Sequence, residues 1–313
     1  MPNTTTSYMR WFSVINIFTN IIASCQILFG LIFISIILYK RAYRSVSNCL
    51  AANIAFSITF YAITVLAISI HISQCDNHPD QCTEERSYII LNYMNDVAST
   101  AVIYSFTGQS IHHLLSAIFA RNIRLQMYQI RLSLCIIQWI VAFVFPYYFV
   151  YVNPQLIYNT VSYVWVVSKN LSPFLTLYIL LIGFILPVMI IISVYIKLTL
   201  FIAQLRRSTV LTGLSSTLSN RRDLQMSKYI ILLLTIAALS LLPQTIFQSM
   251  KSPPSYRYRI YYLTETIITF CCFLCLFACT SLVRRRLNRW KVKIKRALDY
   301  LRERSTVLQG NRY

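Results

Sequence analysis

The sequence predicts an all-α membrane protein, a bundle of seven transmembrane helices followed by a basic amphipathic eighth helix. Hydrophobic residues make up 57% of the 313 residues and charged residues only 12%, whereas a soluble domain usually carries about 25% charged residues on its surface. Long stretches almost free of charge divide the chain, and each can cross a bilayer, which takes about 20 apolar residues in a helix. The formal charge of +20 is concentrated in the connecting segments and near the C-terminus.

The positions of the seven spans follow from these charge-poor stretches. A helix is required in hydrocarbon, because each unsatisfied backbone polar group there costs several kcal/mol. Barrel strands would show period-two alternation over about ten residues, and the sequence has none. The spans are therefore predicted at 12–39, 46–72, 91–121, 131–152, 172–200, 222–250 and 258–283.

The basic residues set the orientation of the spans. With the N-terminus outside, most of the 29 Lys and Arg residues fall in cytoplasmic segments, as the positive-inside rule requires. We therefore expect an extracellular N-terminus at residues 1–11, a membrane domain at 12–283 and a cytoplasmic helix and tail at 284–313. Glycosylation sequons at Asn3 and Asn170 would both lie outside.

The C-terminal segment predicts a helix that lies on the membrane surface. Apolar residues recur every three or four positions from Val283 to Leu301 and form one helical face, with Arg and Lys crowded around it. This pattern is typical of an interfacial helix on anionic lipid. Membrane attachment accounts for the charge, so nucleic acid is not an expected partner.

Cys75 and Cys82 are the only two cysteines predicted to lie outside. An oxidising compartment favours a disulfide between them. With His71 and His78 they also form an H-x3-C-x2-H-x3-C pattern that fits zinc ligation, and free thiols are the third alternative. The disulfide is the preferred interpretation, and neither a metal site nor a cofactor is predicted.

Several motifs resemble those of rhodopsin-like (class A) G-protein-coupled receptors. The segment from Ser110 to Asn122 resembles the end of that family's third helix, and Arg121 stands at the position of its arginine, although both neighbours differ. Asn53-Ile54-Ala55 and Trp139 resemble markers of the second and fourth helices.

The later spans continue the resemblance. Pro187 and Tyr195, eight residues apart, match the proline and tyrosine of the fifth helix, and Leu241-Leu242-Pro243 matches the proline motif of the sixth. The resemblance covers roughly residues 14–298 and implies a rhodopsin-like receptor fold.

At three positions this sequence differs from residues that are typical of the family. Gly30 stands where the family has Asn, and Ile58 where it has Asp. Those two polar residues normally organise a sodium ion, so no sodium site is expected. Asp96 occupies the place of the third-helix cysteine, and residues 147–172 contain no cysteine, so the family's usual disulfide cannot form.

The resemblance implies a switch at the cytoplasmic side. Arg121 would contact a G protein when the bundle opens, and Asp223, twenty residues before Pro243, would hold Arg121 in the resting state. An exposed ion pair is worth at most about 1 kcal/mol, which suits a reversible latch. Pro187 and Pro243 would bend their helices, and Tyr195 would reach Arg121 through water. The alternatives are an interfacial anchor for the arginine and plain kinks at the prolines.

Glu265 is the one acid well inside a predicted span. Such acids usually face the bundle interior or a wet cavity and carry function. In the family register Glu265 would bind a cationic group of a ligand, and the alternative is an internally hydrogen-bonded side chain. The other predicted pocket residues lie on the third and sixth spans and are Ile103, Tyr104, Thr107, Gln244, Phe247 and Gln248.

The resemblance implies a plasma-membrane receptor that binds an extracellular peptide or small molecule and activates a heterotrimeric G protein. The ligand would bind between the outer halves of the third, fifth, sixth and seventh spans. Anionic lipids are further expected partners, and no catalytic motif indicates an enzyme. One alternative is a chemosensory receptor of a separate seven-helix lineage. The other is a seven-helix transporter, for which inverted repeats and several intramembrane charges would be expected.

Overall fold

The computed structural model describes residues 3–39, 46–77, 86–118, 128–148, 156–159, 164–167, 174, 177–178, 181–212 and 257–279. Six α-helices make up most of this part of the chain: α1 (Asn3–Tyr39), α2 (Val46–Asn77), α3 (Arg86–Ile118), α4 (Tyr128–Tyr147), α5 (Leu186–Thr212) and α6 (Arg257–Cys279). The six helices coincide with six of the seven predicted spans. α1 to α5 correspond to the first five spans, and α6 corresponds to the seventh. A π-helical turn, Leu181–Ile185, leads directly into α5.

Several predicted features lie outside the described residues. They are the sixth span at 222–250 with Asp223, Pro243, Gln244, Phe247 and Gln248, together with Arg121, Cys82, Asn170 and the tail at 284–313.

The helix ends differ from the predicted ends. α1 begins at Asn3 rather than at 12, so most of the predicted extracellular N-terminus is helical, and α5 continues to Thr212 rather than ending at 200. Hydropathy locates the part of a helix that lies in hydrocarbon, but backbone hydrogen bonding continues into water where no helix breaker stops it. The apolar span within α1 runs from Trp11 to Tyr39.

A two-stranded antiparallel sheet follows α4, and the sequence did not predict it. β1 (Leu156–Asn159) pairs with β2 (Val164–Val167), with Leu156 opposite Val167. Val, Ile, Tyr and Trp dominate both strands and favour extended backbone. Four residues per strand are too few to show clear alternation. The fold is thus a helical bundle with one small hairpin.

The helices pack around α3. α3 contacts α2, α4 and α5, while α1 contacts α2 and α6, and α6 also contacts α2. The largest apolar cluster lies between α1, α2, α3 and α6 and includes Phe33, Ile54, Ile58, Tyr61 and Phe273. This arrangement places α3, which carries seven of the buried polar side chains, away from lipid.

The inward-facing and outward-facing side chains of α1 indicate that the bundle is surrounded by lipid. Its inward-facing side chains include Asn16, Thr19 and Gln26, whereas Ile17 and Phe18 are exposed. Such polar-inside, apolar-outside patterning suits hydrocarbon rather than water, because intramembrane polar groups face the bundle interior. Within the part of the chain that the structure describes, four helices are long and apolar enough to cross a membrane. The chain is a multi-pass membrane protein.

Gly30 brings α1 and α2 into close contact. A Cβ at this position would overlap Oγ1 of Thr59, which donates a hydrogen bond to the backbone carbonyl of Ala55 at 2.7 Å. The neighbouring Ile58 is fully buried in the apolar cluster. The two positions at which the family has polar residues are therefore tightly packed in this protein.

Candidate functional site

Glu265 lies on α6, half-buried, and faces α3. Oγ of Ser99 donates a hydrogen bond to Oε1 of Glu265 at 3.2 Å, and the hydroxyl of Tyr261, one turn earlier on α6, lies beside the same carboxylate. Asp96, one turn before Ser99, is close enough to Glu265 for their charges to interact. Two acids on different helices therefore lie where α3 and α6 face each other.

Tyr61 on α2 completes this group. Its side chain is fully buried, and its hydroxyl lies next to Glu265. We call Tyr61, Asp96, Ser99, Tyr261 and Glu265 the acidic cluster.

Four buried polar atoms on α1 and α2 lack a hydrogen-bond partner among the described residues. They are Nδ2 of Asn16, Oδ1 of Asn20, Oε1 of Gln26 and Oγ of Ser69. Buried polar groups are costly unless water or a ligand satisfies them. These four atoms therefore make the inward faces of α1 and α2 partly polar.

Arg259 and Asp76 tie together the ends of three helices. Nη1 and Nη2 of Arg259 each lie 2.6 Å from one carboxylate oxygen of Asp76, and the guanidinium carbon lies 4.5 Å from the ring centroid of Phe12. The pair joins the start of α6, the end of α2 and the first turns of α1. Asp76 and Arg259 are 183 residues apart in the sequence, and only the structure shows that they meet.

Tyr104 anchors the π-helical turn that precedes α5. Its hydroxyl donates to the carbonyl of Ile182 at 2.8 Å. In π-helical pairing that carbonyl would accept from the amide of residue 187, but Pro187 has no amide hydrogen. The tyrosine hydroxyl therefore supplies the donor that the buried Pro187 lacks.

Ile103 and Thr107, the other predicted pocket residues of α3, lie further along the helix than Ser99. Ile103 is half-buried, and the buried Thr107 donates its hydroxyl to the Ile103 carbonyl at 3.1 Å. Both follow Ser99 along one face of α3 at helical spacing. The structure therefore brings Glu265 to Ser99 and Asp96, one and two turns away from the predicted pocket residues.

A polar network connects α2, α3 and α4. Nδ2 of Asn53 donates to Oε1 of Gln138 at 2.6 Å, and Nε1 of Trp139 donates to Oδ1 of Asn53 at 3.1 Å. Nε2 of Gln138 donates to the carbonyl of Ala101 at 3.1 Å. Asn53 and Trp139, which resemble two separate family markers, are thus in direct contact.

Tyr195 lies between α5 and α3, toward the predicted cytoplasmic side. It is 5% exposed and packs with Ile191 and Leu198 against Phe106 and Leu114. Its hydroxyl lies beside the side chain of Ser110 on α3.

Cys75, near the end of α2, is disulfide-bonded, and its Sγ lies 3.5 Å from Nε2 of His71. A sulfur held in a disulfide is not a thiolate ligand, so the zinc alternative loses one of its four donors. The pairing with Cys82 stays a prediction, because Cys82 lies outside the described residues.

The fold and this interior define a class of protein: a multi-pass membrane protein with the rhodopsin-like helical bundle. Squid rhodopsin superposes with a TM-score of 0.73 at 11% sequence identity, over 91% of this chain and 87% of that chain. No protein-family model and no curated protein matches by sequence. The resemblance seen in scattered motifs is confirmed at the level of the fold.

Proposed function

We propose that this chain is a G-protein-coupled receptor of the plasma membrane, with its N-terminus outside and its C-terminus in the cytoplasm. The main support is a rhodopsin-like bundle whose interior holds the acidic cluster in its predicted outer half. Charged groups within a bilayer are costly and mark sites of function. An extracellular peptide or small molecule would bind there, with Glu265 as its central polar contact.

Ligand binding would open the cytoplasmic side of the bundle. The sixth span would swing at Pro243, separate Asp223 from Arg121 and expose Arg121 to a heterotrimeric G protein. Tyr195, which lies on α5 against α3, would be the group that meets Arg121 through water. The predicted tail helix would lie on anionic lipid.

The pocket proposed here is wider than the one implied by the family. Tyr104 and the π-helical turn border it toward α5, and Gln244, Phe247 and Gln248 would border it from the sixth span. Glu265 and its neighbours extend it toward α1 and α2. Tyr61 on α2, whose hydroxyl lies beside Glu265, supports the extension toward α2.

A ligand screen with a nucleotide-exchange readout tests the proposal. The full chain is reconstituted in lipid nanodiscs with a panel of heterotrimeric G proteins, and GTP-analogue uptake is measured with and without each compound. The proposal predicts ligand-dependent exchange that the Arg121→Ala variant loses at equal receptor density. Silence on the whole panel, combined with compound flux into liposomes, would establish the transporter alternative instead.

A further inference from the structure

We propose that the cytoplasmic end of α5 is a phosphorylation site, with Thr209 as the acceptor for a protein kinase that selects basic substrates. Neither the predicted spans nor the family motifs give this segment a role. The inference rests on the cytoplasmic location of the segment, which belongs to the proposed function. It concerns a modification of the chain and not its ligand.

A five-residue sequence occurs twice in the chain. The residues Arg-Ser-Thr-Val-Leu occupy positions 207–211, at the end of α5, and positions 304–308, in the predicted tail. A Leu-Arg pair stands before each copy, directly before the first and one glutamate away from the second. Both copies fall on the predicted cytoplasmic side. The repeated residues and their shared upstream charge indicate that one partner recognises both copies.

The order of residues in this sequence fits the substrate site of a kinase that selects basic residues. Thr209 follows arginines at the second and third positions before it and precedes the apolar Val210. Guanidinium groups form paired, charge-assisted hydrogen bonds with carboxylates. Arginines at fixed spacing therefore bind an acidic kinase surface and select which hydroxyl reaches ATP. Thr212 has no arginine at either spacing and lacks this signal.

α5 continues beyond the bundle, where a soluble kinase has room to bind. The last buried residue of α5 among those that the structure describes is Leu198. The apolar span ends at Phe201, whereas the helix continues to Thr212. Between these two points the described side chains, Ala203 and Gln204, are exposed. At 1.5 Å per residue, Thr209 stands about 12 Å past the end of the apolar span.

The reaction is a phosphoryl transfer from ATP. Oγ1 of Thr209 attacks the γ-phosphorus, the bond to the oxygen that bridges the β- and γ-phosphates breaks, ADP leaves, and a base of the kinase takes the hydroxyl proton. Thr209 belongs to the last turn of α5, which ends at Thr212. The carbonyls of a last turn have no intrahelical partner, so this turn unwinds at low cost, as entry into a kinase site requires.

A phosphate on Thr209 changes both the charge and the length of α5. It carries about −1.5 to −2 charges at neutral pH, which offsets the charges of Arg206 and Arg207. It also stands at the negative end of the helix dipole, where an anion is unfavourable. We expect the last turn of α5 to unwind and its basic end to become nearly neutral.

Phosphate mapping on the full chain tests the site. The protein in lipid nanodiscs is incubated with Mg-ATP and the catalytic subunit of cyclic-AMP-dependent protein kinase, and tandem mass spectrometry locates the phosphate. We expect incorporation at Thr209, at a rate that falls about tenfold or more in Arg206→Gln/Arg207→Gln, the size of one lost charge-assisted hydrogen bond. Ser208→Ala should leave the rate at Thr209 unchanged. Thr209→Ala should abolish incorporation at the end of α5.

Arg221→Gln/Arg222→Gln is the matched control. It removes another basic pair from the predicted cytoplasmic side, but no hydroxyl residue follows this pair at the spacing seen for Thr209. The rate at Thr209 should therefore equal that of the natural chain. Phosphate should also appear within residues 304–308, because the same kinase recognises both copies.

Amide hydrogen exchange measures the structural consequence. After phosphorylation, the amides of residues 208–212 should exchange about two- to fivefold faster, the effect of an anion at the negative end of a helix. The amides of residues 191–198, which lie against α3, should not change. Thr209→Ala treated with the same kinase is the control and should show no acceleration in residues 208–212.

Three results would overturn the proposal. They are the absence of phosphate from Thr209, equal rates with and without the two arginines, and equal hydrogen exchange in the modified and unmodified chains. Both faces of a nanodisc are open to the kinase, so these outcomes depend neither on orientation nor on G-protein coupling. Phosphate that reaches Thr209 in nanodiscs but never in animal cells treated with a phosphatase inhibitor would count against the proposed cytoplasmic location instead.

Discussion

Arg259 shows at the scale of one residue how this bundle accommodates charge. Its side chain is almost fully buried, yet both terminal nitrogens reach the carboxylate of Asp76 and the ring of Phe12 covers one face. Bidentate, charge-assisted pairs of this kind are the strongest hydrogen bonds in proteins. Removing one partner leaves a buried charge without compensation.

We predict that Arg259→Ala destabilises the protein by about 3–5 kcal/mol, the usual cost of breaking a buried ion pair from one side. Thermal and denaturant unfolding in nanodiscs measures the change. The double variant with Asp76→Ala should cost clearly less than the sum of the two single variants. Additive costs, within about 0.5 kcal/mol, would mean that the pair contributes no coupling energy.

Gly30 leads to a second prediction at the residue scale. Gly30→Ala should cost about 1–3 kcal/mol, a typical penalty for overpacking, because its Cβ would overlap Oγ1 of Thr59. Thr59→Ala should recover part of this loss. Gly108→Ala is the control, since a Cβ on Gly108 meets nothing within 4 Å. Equal effects of the two alanines on unfolding would refute the close contact.

At the scale of elements, the start of α5 depends on a contact from α3. The π-helical turn at Leu181–Ile185 ends where Pro187 interrupts the amide ladder, and Tyr104 fills the gap at 2.8 Å. The sequence predicted a kink at Pro187 and a pocket role for Tyr104, but it contained no sign that the two are coupled. That coupling depends on the spacing of two helices, which periodicity does not determine.

A double-mutant cycle tests this coupling. Tyr104→Phe should destabilise the protein by about 1–3 kcal/mol, because the part-buried carbonyl of Ile182 loses its donor. In a Pro187→Ala background the restored amide can serve that carbonyl, so the same tyrosine change should cost less. An unchanged cost in the unfolding free energy would show that Tyr104 does not serve the turn.

The whole-molecule architecture was largely predictable because hydrocarbon imposes one rule on the entire chain. Charges fall between spans, so their positions give the number of helices. Contacts between residues that are far apart in the chain are harder to predict from the sequence. Tyr61 looks like an ordinary core residue of an apolar helix, and Asp96 lies near the predicted start of its span. Only the packing of α2, α3 and α6 brings both to Glu265.

The predicted orientation is tested by glycosylation. Asn3 stands at the start of α1, and with the N-terminus outside its sequon faces the lumen during synthesis. We expect a glycosidase-sensitive mobility shift that Asn3→Gln reduces, with Asn170→Gln as the companion variant for the second outer loop. Full glycosidase resistance of the natural chain expressed in animal cells would contradict the predicted glycans.

The central claim is that the bundle transmits a change in its interior to a G protein through Arg121. Basal nucleotide exchange by the Asp223→Asn variant, at a receptor density matched to the natural chain, tests it most directly. Loss of a latch worth at most about 1 kcal/mol should raise basal exchange up to about fivefold, and adding Arg121→Ala should abolish the increase. Unchanged exchange in Asp223→Asn, or an increase that persists without Arg121, would contradict the account.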